Sequence, residues 1–159
     1  MRDEVHARGG ATVAVLHSLE RWEANLVLNL RLWCEGPAGQ AQVWNDYACT
    51  FQSPRAGEEM RAFETLMTSL IEYAVRPLVR HAVHCACVGS DECIVLNLVK
   101  TAADGHLNDA ALIATLIAGP AKAEAIAMLA GQVGEGAKQI KPKETYRRST
   151  DATNVIRLH

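Results

Sequence analysis

The side chains best suited to chemistry lie in one stretch, residues 76–93, which reads RPLVRHAVHCACVGSDEC. This stretch holds two of the six histidines and three of the five cysteines of the chain. Imidazole and thiolate groups together are typical ligands of zinc and other borderline-soft metal ions. The sequence therefore suggests a metal site, with zinc as the expected ion. Its candidate ligands are His81, His84, Cys85, Cys87 and Cys93.

The spacing of these residues decides whether they could share one ion. On a helix, His81 lies on the same face as His84 and Cys85, because residues three and four apart are neighbours. Cys85 and Cys87 are two apart and would differ by about 200° around the helix axis. A shared site therefore requires the helix to end near these two cysteines. The stretch contains no Cys-x-x-Cys and no second paired half-site, so it matches no known zinc signature.

Two other interpretations of the cluster remain open. Free cysteine often behaves as a small buried hydrophobe, and cysteines on both sides of Ala86 are typical of a tight helix crossing with histidines at its edge. We favour this packing interpretation. Alternatively, Cys93 is a reactive thiol, because a helix capped by Ser90 would stabilise its thiolate and a nearby histidine could act as base. The adjacent anions Asp91 and Glu92 oppose this, since they would raise the pKa of the thiol.

Long segments with helical periodicity flank the cluster and must position it. The first predicted helix covers residues 12–34 and stops at Gly36-Pro37. Leucines also alternate over residues 26–32, as they would in a strand, so a hairpin within residues 26–51 is the alternative. We prefer the helix because its pattern starts earlier and persists longer.

Glycine and proline residues divide the rest of the chain into further predicted helices. A short second helix covers residues 40–51, and a third begins at Ser53-Pro54. Pro77 must kink or restart that helix, which would then continue through residues 78–83 into the cluster. The later boundaries are a cap at Ser90, a stop at Gly105, a cap at Asn108 and a stop and restart at Gly119-Pro120.

Length and composition favour one helical domain. The chain has 159 residues, of which 49% are hydrophobic and only 5% aromatic, a composition that favours close-packed helices over a sandwich or barrel. We predict an all-α, single-domain irregular bundle of about six or seven helices within residues 1–134, with residues 1–11 frayed. Residues 135–159 form a polar, basic tail with six basic and three acidic residues, predicted to be flexible.

Charge and hydropathy restrict the partners. The formal net charge is −2, and the basic tail offers only Tyr146 for stacking, so no nucleic-acid partner is expected. The longest uncharged run, residues 110–121, is shorter than the ~18 residues that a membrane span needs. We expect no membrane partner, and a cytoplasmic location because the first residues do not resemble a signal peptide. The helices within residues 94–133 have little polar face, which predicts a homodimer.

Known catalytic motifs are not found in the sequence. It contains no glycine-rich phosphate loop, no Gly-x-Ser-x-Gly elbow and no His-Glu-x-x-His. The leading hypothesis is a non-enzymatic helical interaction or regulatory protein, acting as a homodimer and able to bind a further protein partner. The alternative is a metal-binding or thiol-dependent protein centred on the cluster from His81 to Cys93. Enzymatic activity is left open.

Overall fold

The computed structural model describes residues 8–141 and has the predicted all-α, bundle-like architecture. Six complete helices lie in this range together with a small sheet of two antiparallel strands. The helices are α1 Arg21–Cys34, α2 Pro37–Thr50, α3 Arg55–Glu72, α4 Ser90–Ala103, α5 Leu107–Ala118 and α6 Pro120–Ala137. The strands are β1 Thr12–Val15 and β2 Cys87–Gly89.

Two glycine-proline pairs end one helix and start the next, as predicted. Gly36 has φ +99° and Gly119 has φ +77°, values that residues with a side chain rarely adopt. Pro37 and Pro120 follow in the first turn of α2 and α6, where the missing backbone N–H would have no helical partner anyway. Residues 26–34 and 37–50 are helical, so the hairpin alternative for residues 26–51 is wrong.

The first predicted helix starts too early. Residues 12–15 form β1 and residues 16–18 a short 3-10 turn, so α1 begins only at Arg21. The backbone N–H of Glu20 donates to the Glu23 carboxylate (3.0 Å), which caps this start. The reason for the error is that β1 pairs with β2, which lies more than seventy residues later. A periodic pattern within one segment cannot reveal such a distant partner.

The predicted helix over residues 78–83 is also wrong. Helix α3 ends at Glu72, and residues 73–86, here called the strap, follow an irregular path to β2. Pro77 cannot donate a helical hydrogen bond. The backbone N–H groups of Val79 and His81 donate instead to the carboxylates of Asp91 and Glu92 at the start of α4 (2.8 and 3.1 Å). These bonds replace the helical hydrogen bonds that the prediction assumed.

Other boundaries shift by a few residues. Helix α2 begins at Pro37, three residues before its predicted start, and His106 rather than Asn108 precedes α5. Gly89 caps α4, so Ser90 is its first residue, and the Ser90 hydroxyl donates to the carbonyl of Gly9 (3.1 Å). Helix α6 continues into the segment predicted as a tail. Residues 142–159 of that tail, and residues 1–7 of the segment 1–11 predicted to be frayed, lie outside the described residues.

Helices α4 and α6 form the centre of the bundle. The apolar side chains of α4 are largely buried, with Leu98 and Val99 fully inaccessible. Gly134 on α6 allows the close approach, since a Cβ there would lie 2.6 Å from the Cβ of Ala103. Because α4 is fixed centrally, its first turn is a rigid anchor for the strap. None of the helices in residues 8–141 combines the length and hydropathy that crossing a bilayer requires.

Candidate functional site

The backbone is not helical between His84 and Gly89, a condition that a site shared by these cysteines requires. The amide of Cys85 donates to the carbonyl of Ala82 (3.0 Å) and closes a turn. The carbonyl of Ala86 then accepts from the amide of Leu16 (2.9 Å), and β2 starts at the next residue. The cysteines of the cluster therefore do not lie on one continuous helix, and the objection from helical spacing no longer applies.

A buried arginine from α1 holds this turn. Arg31 is fully inaccessible, and its Nε and Nη2 donate to the two carboxylate oxygens of Glu92 (2.7 and 2.9 Å). Its other three N–H groups donate to the carbonyls of Ala82 (3.2 Å), Cys85 (2.7 Å) and Cys87 (2.6 Å). A guanidinium has five N–H donors. Every donor of Arg31 is therefore used, three of them on backbone around the cysteines.

Glu92 is equally well satisfied. Besides Arg31, it accepts hydrogen bonds from the backbone N–H groups of Gly89 (2.9 Å) and His81 (3.1 Å). Burial raises the pKa of this carboxyl, but the hydrogen bonds from Arg31, Gly89 and His81 outweigh burial and hold the pKa of Glu92 below its ordinary value. Glu92 is therefore a buried carboxylate at neutral pH.

Asp91 anchors the other part of the strap. Its carboxylate is buried and accepts two hydrogen bonds from the guanidinium of Arg76 (2.7 and 2.8 Å) and one from the amide of Val79 (2.8 Å). Sequence reasoning placed the acidic pair in the first turn of a helix but missed both arginine partners. The available signal was Arg31 itself, an arginine inside the apolar run of residues 26–33.

The turn brings one thiol and one imidazole into hydrogen-bonding distance. Nδ1 of His81 lies 3.4 Å from Sγ of Cys85, and Nε2 of His81 lies 2.8 Å from the carbonyl oxygen of Gly10. A carbonyl can only accept, so Nε2 of the neutral ring carries the proton and Nδ1 is the acceptor. The Cys85 thiol can therefore donate to His81. Chemically, this arrangement can transfer the thiol proton to the ring when the sulfur reacts.

The remaining cluster residues do not join this pair. His84 is exposed, and Cys87 makes no imidazole contact within residues 8–141. For Cys93, burial and the charges of Glu92 and Glu23 raise the pKa of the thiol, so its thiolate is disfavoured at neutral pH.

Metal-binding geometry was sought across the whole described range. Residues 8–141 contain no group of three or more His, Cys, Asp and Glu side chains arranged to hold a metal ion. The zinc site therefore stays a prediction.

A mostly apolar cavity of about 370 Å³ lies beneath the strap, between α1, α3 and α4. Leu30, Met67 and Leu78 contribute to its walls, and Cys34 lies beside Arg80 in its lining. Burial raises the pKa of the Cys34 thiol, an effect that the nearby Arg80 opposes. This volume lies within the range of small-molecule pockets.

Comparison with known proteins identifies no relatives: no family model, curated protein or solved structure matches this chain significantly. The fold and the site together define a helical protein with a thiol–imidazole pair on a strap that Arg31, Asp91 and Glu92 hold by hydrogen bonds. Function must be inferred from these residues themselves.

Proposed function

We propose that the protein is a non-enzymatic interaction protein that acts as a homodimer through an apolar patch on α5, the end of α3 and the start of the strap. The patch consists of Ile71, Val75, Leu112 and Leu116. The observation that carries the proposal is their exposure, since between 63% and 68% of each residue is accessible. Large apolar side chains that remain so exposed together commonly mark an interaction surface.

The patch residues come from adjoining parts of the fold. Leu112 and Leu116 are four residues apart on α5 and share one face. The amide of Val75 donates to the carbonyl of Ile117 (2.8 Å), so the chain leaving α3 runs beside the end of α5 that carries Leu116. Ile71 is the second-last residue of α3 and lines the cavity. The Val75–Ile117 bond supports the proposal that the two parts contribute to one apolar surface.

A second copy of the chain is the partner that suits this surface. In a two-fold dimer the same residues face each other across the axis, so the surface must be complementary to itself. Helix α5 carries a single ionisable residue, Asp109, in its first turn. Leucines of two copies can therefore meet without opposing like charges. A standard interface uses about 20–30 residues a side, so the patch would be its centre and neighbouring residues its rim.

The test is the oligomeric state of a charged variant. Sedimentation velocity over a concentration series should give twice the 17.3 kDa chain mass for the wild type and the single-chain mass for Leu112→Glu combined with Leu116→Glu. Buried carboxylates at the dimer centre would lose their hydration without gaining partners. Circular dichroism should show the same helicity for both proteins.

Met128→Glu is the matched control, because Met128 is 68% exposed but belongs to α6. This variant should remain dimeric. A wild type that is monomeric at every concentration, or a Met128 variant that dissociates to the same extent, would contradict the proposal.

A further inference from the structure

The Cys85–His81 pair has the orientation that thiol activation needs. The ring is fixed at one nitrogen by the Gly10 carbonyl, which leaves Nδ1 as the acceptor 3.4 Å from the sulfur. A thiol reacts through its thiolate, so a base within hydrogen-bonding distance raises its reactivity. The described residues contain five free cysteines, and within residues 8–141 Cys85 alone has an imidazole at such a distance.

Both members of the pair are held by the same buried ion pair. Glu92 accepts the backbone N–H of His81 (3.1 Å), while Arg31 donates to the backbone carbonyl of Cys85 (2.7 Å). The Ala82 carbonyl, which closes the turn, also accepts from Arg31 (3.2 Å). The turn is therefore fixed before any reaction. Support of this kind, in which a second layer of hydrogen bonds fixes reactive groups, is what functional sites require.

From this geometry we propose that Cys85 is a modification site, activated by His81, at which hydroperoxides oxidise the thiol to sulfenic acid. The thiol proton passes to Nδ1 of His81, and the sulfur attacks the terminal oxygen of the hydroperoxide. The S–O bond forms as the O–O bond breaks, and the departing alkoxide takes the proton from Nδ1. Sulfur is oxidised by two electrons, and the hydroperoxide is reduced to an alcohol or water.

A small oxidant suits the surroundings of the sulfur. Cys85 is half-buried, and the backbone on both sides of it is held by Arg31 through the carbonyls of Ala82, Cys85 and Cys87. A turn fixed in this way does not open to admit a large substrate. Hydrogen peroxide and small organic hydroperoxides need little space to reach a half-buried sulfur. The site is separate from the apolar patch, so it goes beyond the proposed dimer function.

Oxidation of the intact, reduced protein by hydrogen peroxide tests this proposal. A sulfenic acid trap such as dimedone is added, and mass spectrometry follows labelling of each cysteine separately. Cys87 is the internal control, because it is half-buried and only two residues away but has no imidazole contact in the described residues. Cys85 should be labelled at least about tenfold faster than Cys87. This is a modest expectation, because a positioned base typically accelerates a reaction by about 10²-fold or more.

Two histidine variants separate activation from access. His81→Gln should reduce the Cys85 rate to that of Cys87, whereas His84→Gln, which changes an exposed histidine three residues later, should leave it unchanged. Alkylation by iodoacetamide should follow the same order, because it also depends on the thiolate. Equal rates for Cys85 and Cys87 in the wild type would overturn the proposal, and this comparison needs no variant to fold. A Cys85 rate that His81→Gln leaves unchanged, or that His84→Gln reduces as strongly, would also overturn it.

Discussion

Replacing Arg31 by methionine should be among the most damaging single changes in the chain. Methionine keeps an unbranched side chain on α1 but removes all five N–H donors. The Glu92 carboxylate would lose both bonds from the guanidinium, and the carbonyls of Ala82, Cys85 and Cys87 would each lose one donor. Glu92 would retain only its two backbone donors and would be a buried charge without a counter-ion.

The structure sets the size of the effect. Removing one partner of a buried ion pair costs about 3–5 kcal/mol. Each carbonyl left without a donor could add about 1–3 kcal/mol, although water entering the turn would restore part of this. We therefore expect the free energy of unfolding to fall by at least about 3–5 kcal/mol, a large fraction of the ~5–15 kcal/mol typical of native proteins.

Urea denaturation, followed by circular dichroism and tryptophan fluorescence, measures this loss. Arg21→Met is the matched control, because Arg21 begins the same helix and is exposed. It should change the free energy of unfolding by no more than about 0.5 kcal/mol. Adding Glu92→Gln to Arg31→Met should recover part of the loss, since it removes the charge left without a counter-ion. An Arg31→Met protein within about 1 kcal/mol of the wild type would refute this account of the strap.

Two further predictions concern the same anchor and the centre of the bundle. The folded state holds the pKa of Glu92 below its unfolded value of about 4.3, so its stabilising contribution is complete above that pH and is lost as the pH falls through the folded value. The difference in unfolding free energy between the wild type and Glu92→Gln, measured in urea, should therefore shrink below about pH 4. A difference that stays constant with pH would contradict this prediction. Gly134→Ala should cost about 1–3 kcal/mol in thermal denaturation, because the added Cβ would lie 2.6 Å from the Cβ of Ala103. Gly131→Ala, whose Cβ would lie 3.4 Å from its nearest neighbour, should be tolerated, and equal losses for both would argue against a tight α4–α6 contact.

The sequence was sufficient for the helix boundaries that depend on local chemistry. Gly36-Pro37 and Gly119-Pro120 combine a residue that tolerates positive φ with one suited to the first helical turn. Such signals are complete within a few residues, so they can be identified without knowing the rest of the fold. The start of α1 depends instead on a strand pairing across the chain, between Thr12 and Gly89 at its first position. No local pattern contains that information.

The grouping of His81 with Cys85 rested on a helical spacing that the structure does not have. His81 and Cys85 were grouped because residues four apart share a helix face, yet they meet across a turn that is not helical. What fixes that turn is Arg31, some fifty residues earlier in the chain, together with Glu92. The sequence shows Arg31 inside the apolar run of residues 26–33 but does not show what it binds. Its partner Glu92 could be identified only once α1 and α4 were placed side by side.

Two different sets of hydrogen bonds hold the strap. One set holds the part next to the apolar patch, and the other holds the turn that carries the Cys85 thiol. The first part of the strap is held by the Val75 bond to Ile117 and by Asp91, which binds Arg76 and the Val79 amide. Its last part is held by Arg31 and Glu92. None of the bonds of the first part involves Arg31 or Glu92. We therefore expect the proposed self-association to persist when the turn around Cys85 is disturbed.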